Sequence, residues 1–281
     1  MRYVEKVYKE GVTLKGYLYE ANPEMPYFEK RPAVVVCPGG GYFFCSAREA
    51  DPVAMVFSAA GFHTFVCTYT VGDDAAFPAS LVDLSVAMKD IRENAEEWGV
   101  EADKIAVCGF SAGGHLSATL GTLWNLPEVQ EKSGCFNGEN KPNALVLGYP
   151  VINTYSWMAP HVARLTGDRS LEETVNLLNT DRNVGPHTPP AFIMHTYCDD
   201  AVAVEDSLNF ATAMAKNDRP FELHVFTNGV HGISVGDKRV GSDEPEASAW
   251  CDMACDWLWK LFGRDDRKPL NLTPNRKHTD K

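Results

Sequence analysis

Six short strand-like runs, most of them apolar, limit what this sequence can fold into more than any other feature. They are Ala33–Cys37, Phe62–Tyr69, Lys104–Cys108, Ala144–Leu147, Ala191–His195 and Phe221–Phe226. The unbroken run Ala33–Cys37 fits a strand covered on both faces, Lys104–Cys108 reads as a further buried strand, and the other runs read as strands beside them. Between the second and third runs, Leu81, Leu84, Met88, Ile91, Ala95 and Trp98 recur at intervals of three and four, the stripe of an amphipathic helix. Helices are also expected over 48–60, 112–123 and 203–216, and from Ala247 to Leu261. Strand and helix in such alternation build βαβ units, hence a mostly parallel central sheet with helices on both faces.

Two stretches depart from this rhythm. Residues 1–20 alternate around Glu10-Gly11, which predicts a hairpin. Residues 153–189 hold helix-prone pieces but no strand, and they end in Pro186, Pro189 and Pro190. A small helical insertion or lid over the carboxyl edge of the sheet accounts for them. The reading is a single domain over 1–262, with that insertion at 153–189, followed by a polar tail over 263–281.

Composition narrows the partners. The chain has 281 residues, 26 Lys and Arg against 38 Asp and Glu, and a net charge of -12. Nucleic acid and anionic membranes would repel so acidic a chain, so neither is an expected partner. The mixed-charge start, Met1 to Lys6, has no apolar run behind it, and no stretch reaches the length of a membrane span. The eight cysteines are scattered, with Cys251 and Cys255 one helical turn apart. Small buried hydrophobes in a reducing, cytoplasmic setting explain them better than disulfides or a metal site. No cofactor or metal is expected, and the oligomeric state is left open, a homo-oligomer included.

Gly109-Phe110-Ser111-Ala112-Gly113 matches G-x-S-x-G. With 22 glycines, chance alone gives about 0.08 such matches in a chain of this composition. A second match does exist, at Gly232-Ile233-Ser234-Val235-Gly236. Only Ser111 follows a buried strand and opens a helix, the elbow that presents a nucleophile, so Ser234 receives no role. A serine hydroxyl needs an adjacent base. His231, in the glycine-flanked loop Asn228 to Gly232, is the expected base. His195 reads as a hydrogen-bonded core histidine, His115 as packed or capping, and His161, His187 and His278 as belonging to the insertion and tail. The acid that orients the base is expected at Asp199, with Asp200 the close alternative; a helix-capping role suits one of the pair. Gly39-Gly40-Gly41 ends a strand and lets the backbone come close enough to form an oxyanion hole. Gly40, Gly41 and Ala112 are the expected donors. The same glycines could cradle a phosphate, but they lack G-K-[ST] and the G-x-G-x-x-G spacing.

Assembled, these residues resemble the acetyl esterase/lipase group of the α/β-hydrolase superfamily, the hormone-sensitive-lipase-like branch, and within it the bacterial esterases that deacetylate xylan and other carbohydrates. The resemblance spans roughly 30–262. It rests on Cys-Pro-Gly-Gly-Gly-Tyr at 37–42, Phe77-Pro78-Ala79, Gly-Phe-Ser-Ala-Gly-Gly-His at 109–115, His195 to Val202, and Val230-His231-Gly232. It implies an α/β-hydrolase fold and assigns the acid to Asp199. Pro38 stands where many members carry histidine, and Ala203 where a proline is usual. The implied activity is hydrolysis of carboxylic esters through a Ser111 acyl-enzyme, with small esters or acetylated oligosaccharides as substrates and Tyr42 as a substrate contact. A short-chain or feruloyl esterase, a small peptidase and a non-catalytic binding module are the competing readings.

Overall fold

The computed structural model describes residues 1–25, 28–153, 159–263 and 269–273. The strands are β1 (Arg2–Lys9), β2 (Val12–Leu18), β3 (Arg31–Cys37), β4 (His63–Cys67), β5 (Val100–Phe110), β6 (Ala144–Gly148), β7 (Ala191–Thr196) and β8 (Phe221–Phe226). The helices are α1 (Asp51–Ala59), α2 (Ala79–Glu93), α3 (Ala95–Trp98), α4 (Ser111–Leu123), α5 (Pro127–Ser133), α6 (Ala159–Thr166), α7 (Leu171–Leu178), α8 (Val204–Lys216), α9 (Pro245–Ser248) and α10 (Trp250–Leu261). His278 and the side chain of His161 lie outside the described residues, as does most of the tail.

One eight-stranded sheet runs in the order β1-β2-β4-β3-β5-β6-β7-β8. The β1–β2 hairpin is antiparallel and pairs with β4 antiparallel; the other neighbours, from β4 to β8, are parallel. The runs from β3 to β7 are strands covered on both faces, whereas β8 at the sheet edge is half-exposed. Val35, Val107, Leu145, Leu147 and Ile193 join one core with Leu84, Met88, Leu116 and Phe210 from α2, α4 and α8. Their sequence neighbours Val36, Ala106, Val146, Phe192 and Met194 join the opposite core with Phe57 of α1 and Trp250 and Leu258 of α10. The period-two side-chain alternation of a strand thus divides each run between two helical layers.

The chain enters β3, steps outward to β4, then crosses back to β5 on the other side of β3. Between the carboxyl ends of β3 and β5 the order reverses, and in open α/β sheets a crevice opens at such a switch point. Residues 153–189 contain α6 and α7 and, among the described residues, no strand. Leu165 and Leu178 from this segment are buried in the first core. No helix among the described residues is long and apolar enough to cross a membrane.

Six cysteines are buried free thiols, Cys45 is half-buried and Cys198 is exposed. The expectation that all eight are core hydrophobes therefore fails at Cys198. It stands in the turn just past β7, where the chain leaves the shelter of the sheet.

Candidate active site

Ser111 follows the last residue of β5 and is the first of α4, with φ 52, in the left-handed region. A non-glycine residue held there costs energy, and the turn gains in return a side chain lifted clear of the strand. The flanking glycines are required by proximity. A Cβ on Gly109 would lie 2.1 Å from the Gly113 carbonyl oxygen, and one on Gly113 would lie 2.2 Å from that of Cys37.

Three expected residues meet at this crevice. His231 Nε2 lies 2.9 Å from Ser111 Oγ, and His231 Nδ1 lies 2.8 Å from Asp199 Oδ2 and 3.1 Å from Oδ1. The Asp199 side chain is fully buried and also accepts from the amides of Ala201 and Val202 at 2.9 and 2.8 Å. Burial alone would raise its carboxyl, but hydrogen bonding from His195 and His231, the charge of His231 and the Val202 amide together hold it well below the usual carboxylate range. Asp200 is exposed and accepts from the backbone N–H of His231 at 3.0 Å, so it touches the base through its main chain only.

The loop after β3 brings Gly40 and Gly41 to the same crevice, with φ 125 and 64. A Cβ on Gly40 would sit 2.1 Å from the Phe44 carbonyl oxygen. Among the described residues, the backbone amides of Gly40, Gly41 and Ala112 have no hydrogen-bond acceptor. The cleft that Gly40 and Gly41 share with Ser111 and His231 has a volume of about 610 Å³.

Tyr42 departs from expectation. It is buried at 2% exposure and its hydroxyl lies 2.8 Å from His115 Nδ1, so it is no cleft contact. Its φ of 61 turns the ring into the core, and the next two residues, Phe43 and Phe44, line the cleft instead, 42% and 59% exposed. Among the described residues of 153–189, none lines this cleft. His195 is a core histidine, hydrogen-bonded to Ser207 Oγ at 2.8 Å and Val202 O at 3.0 Å. Ser234 is a buried turn residue whose hydroxyl donates to Arg48 O.

The sequence reading overlooked Glu49 and Tyr149. Glu49 is 3% exposed; its carboxyl accepts from Gly39 N–H at 2.9 Å and from the Tyr149 hydroxyl at 2.7 Å. The Tyr149 ring stands edge-on to the His231 ring, with centroids 5.1 Å apart. No spacing marks either residue, because both work by contact across the fold. No cluster of three or more His, Cys, Asp or Glu side chains suited to a metal occurs among the described residues.

Known proteins carry related sequences. A family model described as BD-FAE matches residues 23–214. Endo-1,4-beta-xylanase B of Butyrivibrio fibrisolvens is 35% identical over 215 residues, covering 73% of this chain and 33% of that protein. Acetylxylan esterase of Xylanibacter ruminicola is 27% identical over 213 residues, 73% of this chain and 41% of that protein. The matched stretch therefore covers less than half the length of either relative. A solved structure of MGS-M1, an alpha/beta hydrolase enzyme from a Medee basin deep-sea metagenome library, has a TM-score of 0.77 and 35% identity, covering 94% of this chain and 99% of that one. By its fold and by the family model that covers most of its length, the chain belongs to the BD-FAE family of α/β hydrolases.

Proposed function

We propose that this protein is a serine esterase that removes acetyl groups from acetylated carbohydrates such as xylo-oligosaccharides. The observation that carries the reading is the continuous pair of hydrogen bonds from Ser111 Oγ through His231 to buried Asp199, in a cleft that Gly40 and Gly41 also line.

Ser111 Oγ attacks the ester carbonyl carbon while His231 Nε2 takes its proton. Asp199 holds the Nδ1–H tautomer and stabilises the imidazolium that forms. The carbonyl oxygen becomes an oxyanion, and the N–H groups of Gly40, Gly41 and Ala112 donate to it; such a donor typically supplies about 3 kcal/mol. The tetrahedral intermediate collapses, the C–O bond to the alcohol breaks, and the alkoxide leaves with the proton from His231. Water, deprotonated by His231, then hydrolyses the acetyl-serine to acetate. The acetyl-carbohydrate substrate rests on the similarity to the acetylxylan esterase of Xylanibacter ruminicola and on the resemblance in the loop at 37–42.

The test is turnover of p-nitrophenyl acetate and acetate release from acetylated xylo-oligosaccharides by wild type and Ser111→Ala. Loss of the nucleophile is expected to lower kcat by about 10⁴- to 10⁶-fold. Unchanged turnover in the variant would remove the serine mechanism. A second reading, a feruloyl esterase, draws on exposed Phe44 at the cleft, which could stack on an aromatic acyl group. Higher kcat/KM for methyl ferulate than for acetyl esters would favour it.

A further inference from the structure

Glu49 belongs to no expected part of the reaction, yet it touches the loops that hold two of those parts. One carboxylate oxygen accepts from the amide of Gly39, the residue before the two oxyanion-hole glycines. The other accepts from the Tyr149 hydroxyl, and that hydroxyl in turn accepts from the Ser234 amide at 2.9 Å, three residues past His231. The Tyr149 ring packs edge-on against the His231 imidazole. A single buried carboxylate thus joins the loop after β3, the end of β6 and the histidine loop after β8.

The direction of these bonds suits an ionised carboxylate. An N–H and an O–H both donate to Glu49, and the Tyr149 oxygen already receives an N–H, so no bond of the network uses a proton on the carboxyl. The ionised groups facing it are Arg48 from its own segment and His231 when protonated; Tyr149, Tyr69 and Cys108 face it as neutral groups. Burial is the largest influence and raises the carboxyl above its usual value, whereas the Tyr149 and Gly39 bonds, His231 and Arg48 act the other way and support the charge.

We propose that Glu49 is a positioning residue for the reaction: through Gly39 and Tyr149 it sets the oxyanion loop and the His231 ring against each other, and its negative charge behind Tyr149 stabilises the imidazolium formed in the transition state. The proposal rests on the serine-esterase reading above. A charge one aromatic ring away, at an effective dielectric near 20, shifts the titration of the base by about one pH unit and the rate by about tenfold.

The experiment measures kcat, KM and the pH dependence of kcat/KM with p-nitrophenyl acetate for wild type, Glu49→Gln, Glu49→Asp and Ser111→Ala. Glu49→Gln removes the charge and keeps the size; kcat is expected to fall about tenfold with KM within about twofold, and the acid limb to move about one unit toward lower pH. Glu49→Asp, which restores a carboxylate, is expected to return the acid limb to its wild-type position. An acid limb unmoved in Glu49→Gln overturns the proposal whatever happens to the rate, since a merely structural role would lower activity without shifting it. Should Glu49→Gln fail to fold, Tyr149→Phe carries the test, because it keeps the ring against His231 and cuts the link. At least a fivefold drop in kcat is then expected, and kcat within twofold of wild type overturns the proposal. Wild-type turnover in Ser111→Ala would instead sink the serine mechanism, a result that leaves the Glu49 profiles separately readable.

Discussion

At the scale of single residues, the difference between Asp199 and Asp200 is one of burial. The two are adjacent and both near His231, yet the side chain of Asp199 has no solvent exposure and bonds the Nδ1 atom, while Asp200 is exposed and bonds a backbone amide. An asparagine at 199 presents an amide where the imidazole needs an acceptor and a charge. Asp199→Asn is expected to lower kcat by about 10³- to 10⁴-fold, and Asp200→Asn by less than about tenfold. Steady-state kinetics on p-nitrophenyl acetate checks this, and the reverse order would move the acid by one position. Residue spacing alone left this choice open; the turn after β7, in which Asp199 accepts the Ala201 and Val202 amides, turns its carboxylate inward. Tyr42 illustrates the opposite limit. Its place beside the glycines was plain in the sequence, but its direction depends on a left-handed φ that no local pattern announces.

Among the elements, the junction of β5 and α4 carries the tightest packing near the site. Gly113→Ala would force a methyl group to 2.2 Å from Cys37 O and 2.4 Å from Pro38 O, both backbone atoms that cannot rotate away. A loss of about 3 kcal/mol in unfolding free energy is expected, at the upper end for overpacking. Gly11→Ala, where nothing lies within 4 Å but φ is +74, should lose only about 1 kcal/mol. Chemical denaturation compares them, and equal losses would show that the backbone around Gly113 yields to the added methyl. Element identity was largely legible because burial on both faces leaves unbroken apolar runs, as at β3 and β6, while the run expected at 191–195 gives β7 short of Thr196 and the half-exposed 221–226 matches β8 residue for residue. Boundaries were less so. β5 starts four residues before the Lys104 run, since Val100 pairs with Arg31 across a register shift and the intervening residues are partly exposed. The long helix expected through Trp98 breaks at Asn94 into α2 and α3. Helix α5 went unread because its exposed face carries glutamates, lysine and glutamine with no clear stripe.

For the whole molecule, acid sensitivity follows from two histidines remote from the cleft chemistry and built into the fold as neutral rings. His63 Nδ1 accepts the Tyr19 amide at 3.1 Å while Nε2–H donates to Gly99 O at 3.0 Å. His115 Nδ1 accepts the Tyr42 hydroxyl at 2.8 Å while Nε2–H donates to Leu178 O at 2.9 Å. Each ring therefore uses one nitrogen as acceptor, and protonating that nitrogen breaks the bond inside a buried site. Burial is the main cause that pushes both down to about 4. With the folded value below the unfolded one, the unfolded chain binds more protons between about pH 6.5 and 4, so stability falls as pH drops through that window. From pH 7 to pH 5 each histidine is expected to remove about 2 kcal/mol. Glu49 and Asp206 act the other way, because burial raises their carboxyls and so favours the folded state as the medium becomes more acid. Net slopes therefore say less than a difference between variants. Urea unfolding at pH 7 and pH 5, for wild type and His115→Gln, should show the variant losing about 2 kcal/mol less across that interval, even though it starts less stable. Parallel losses in the two proteins would mean that the ring at 115 does not set the acid limit, and would leave the hydrogen-bond pattern around it without the energetic consequence argued for it.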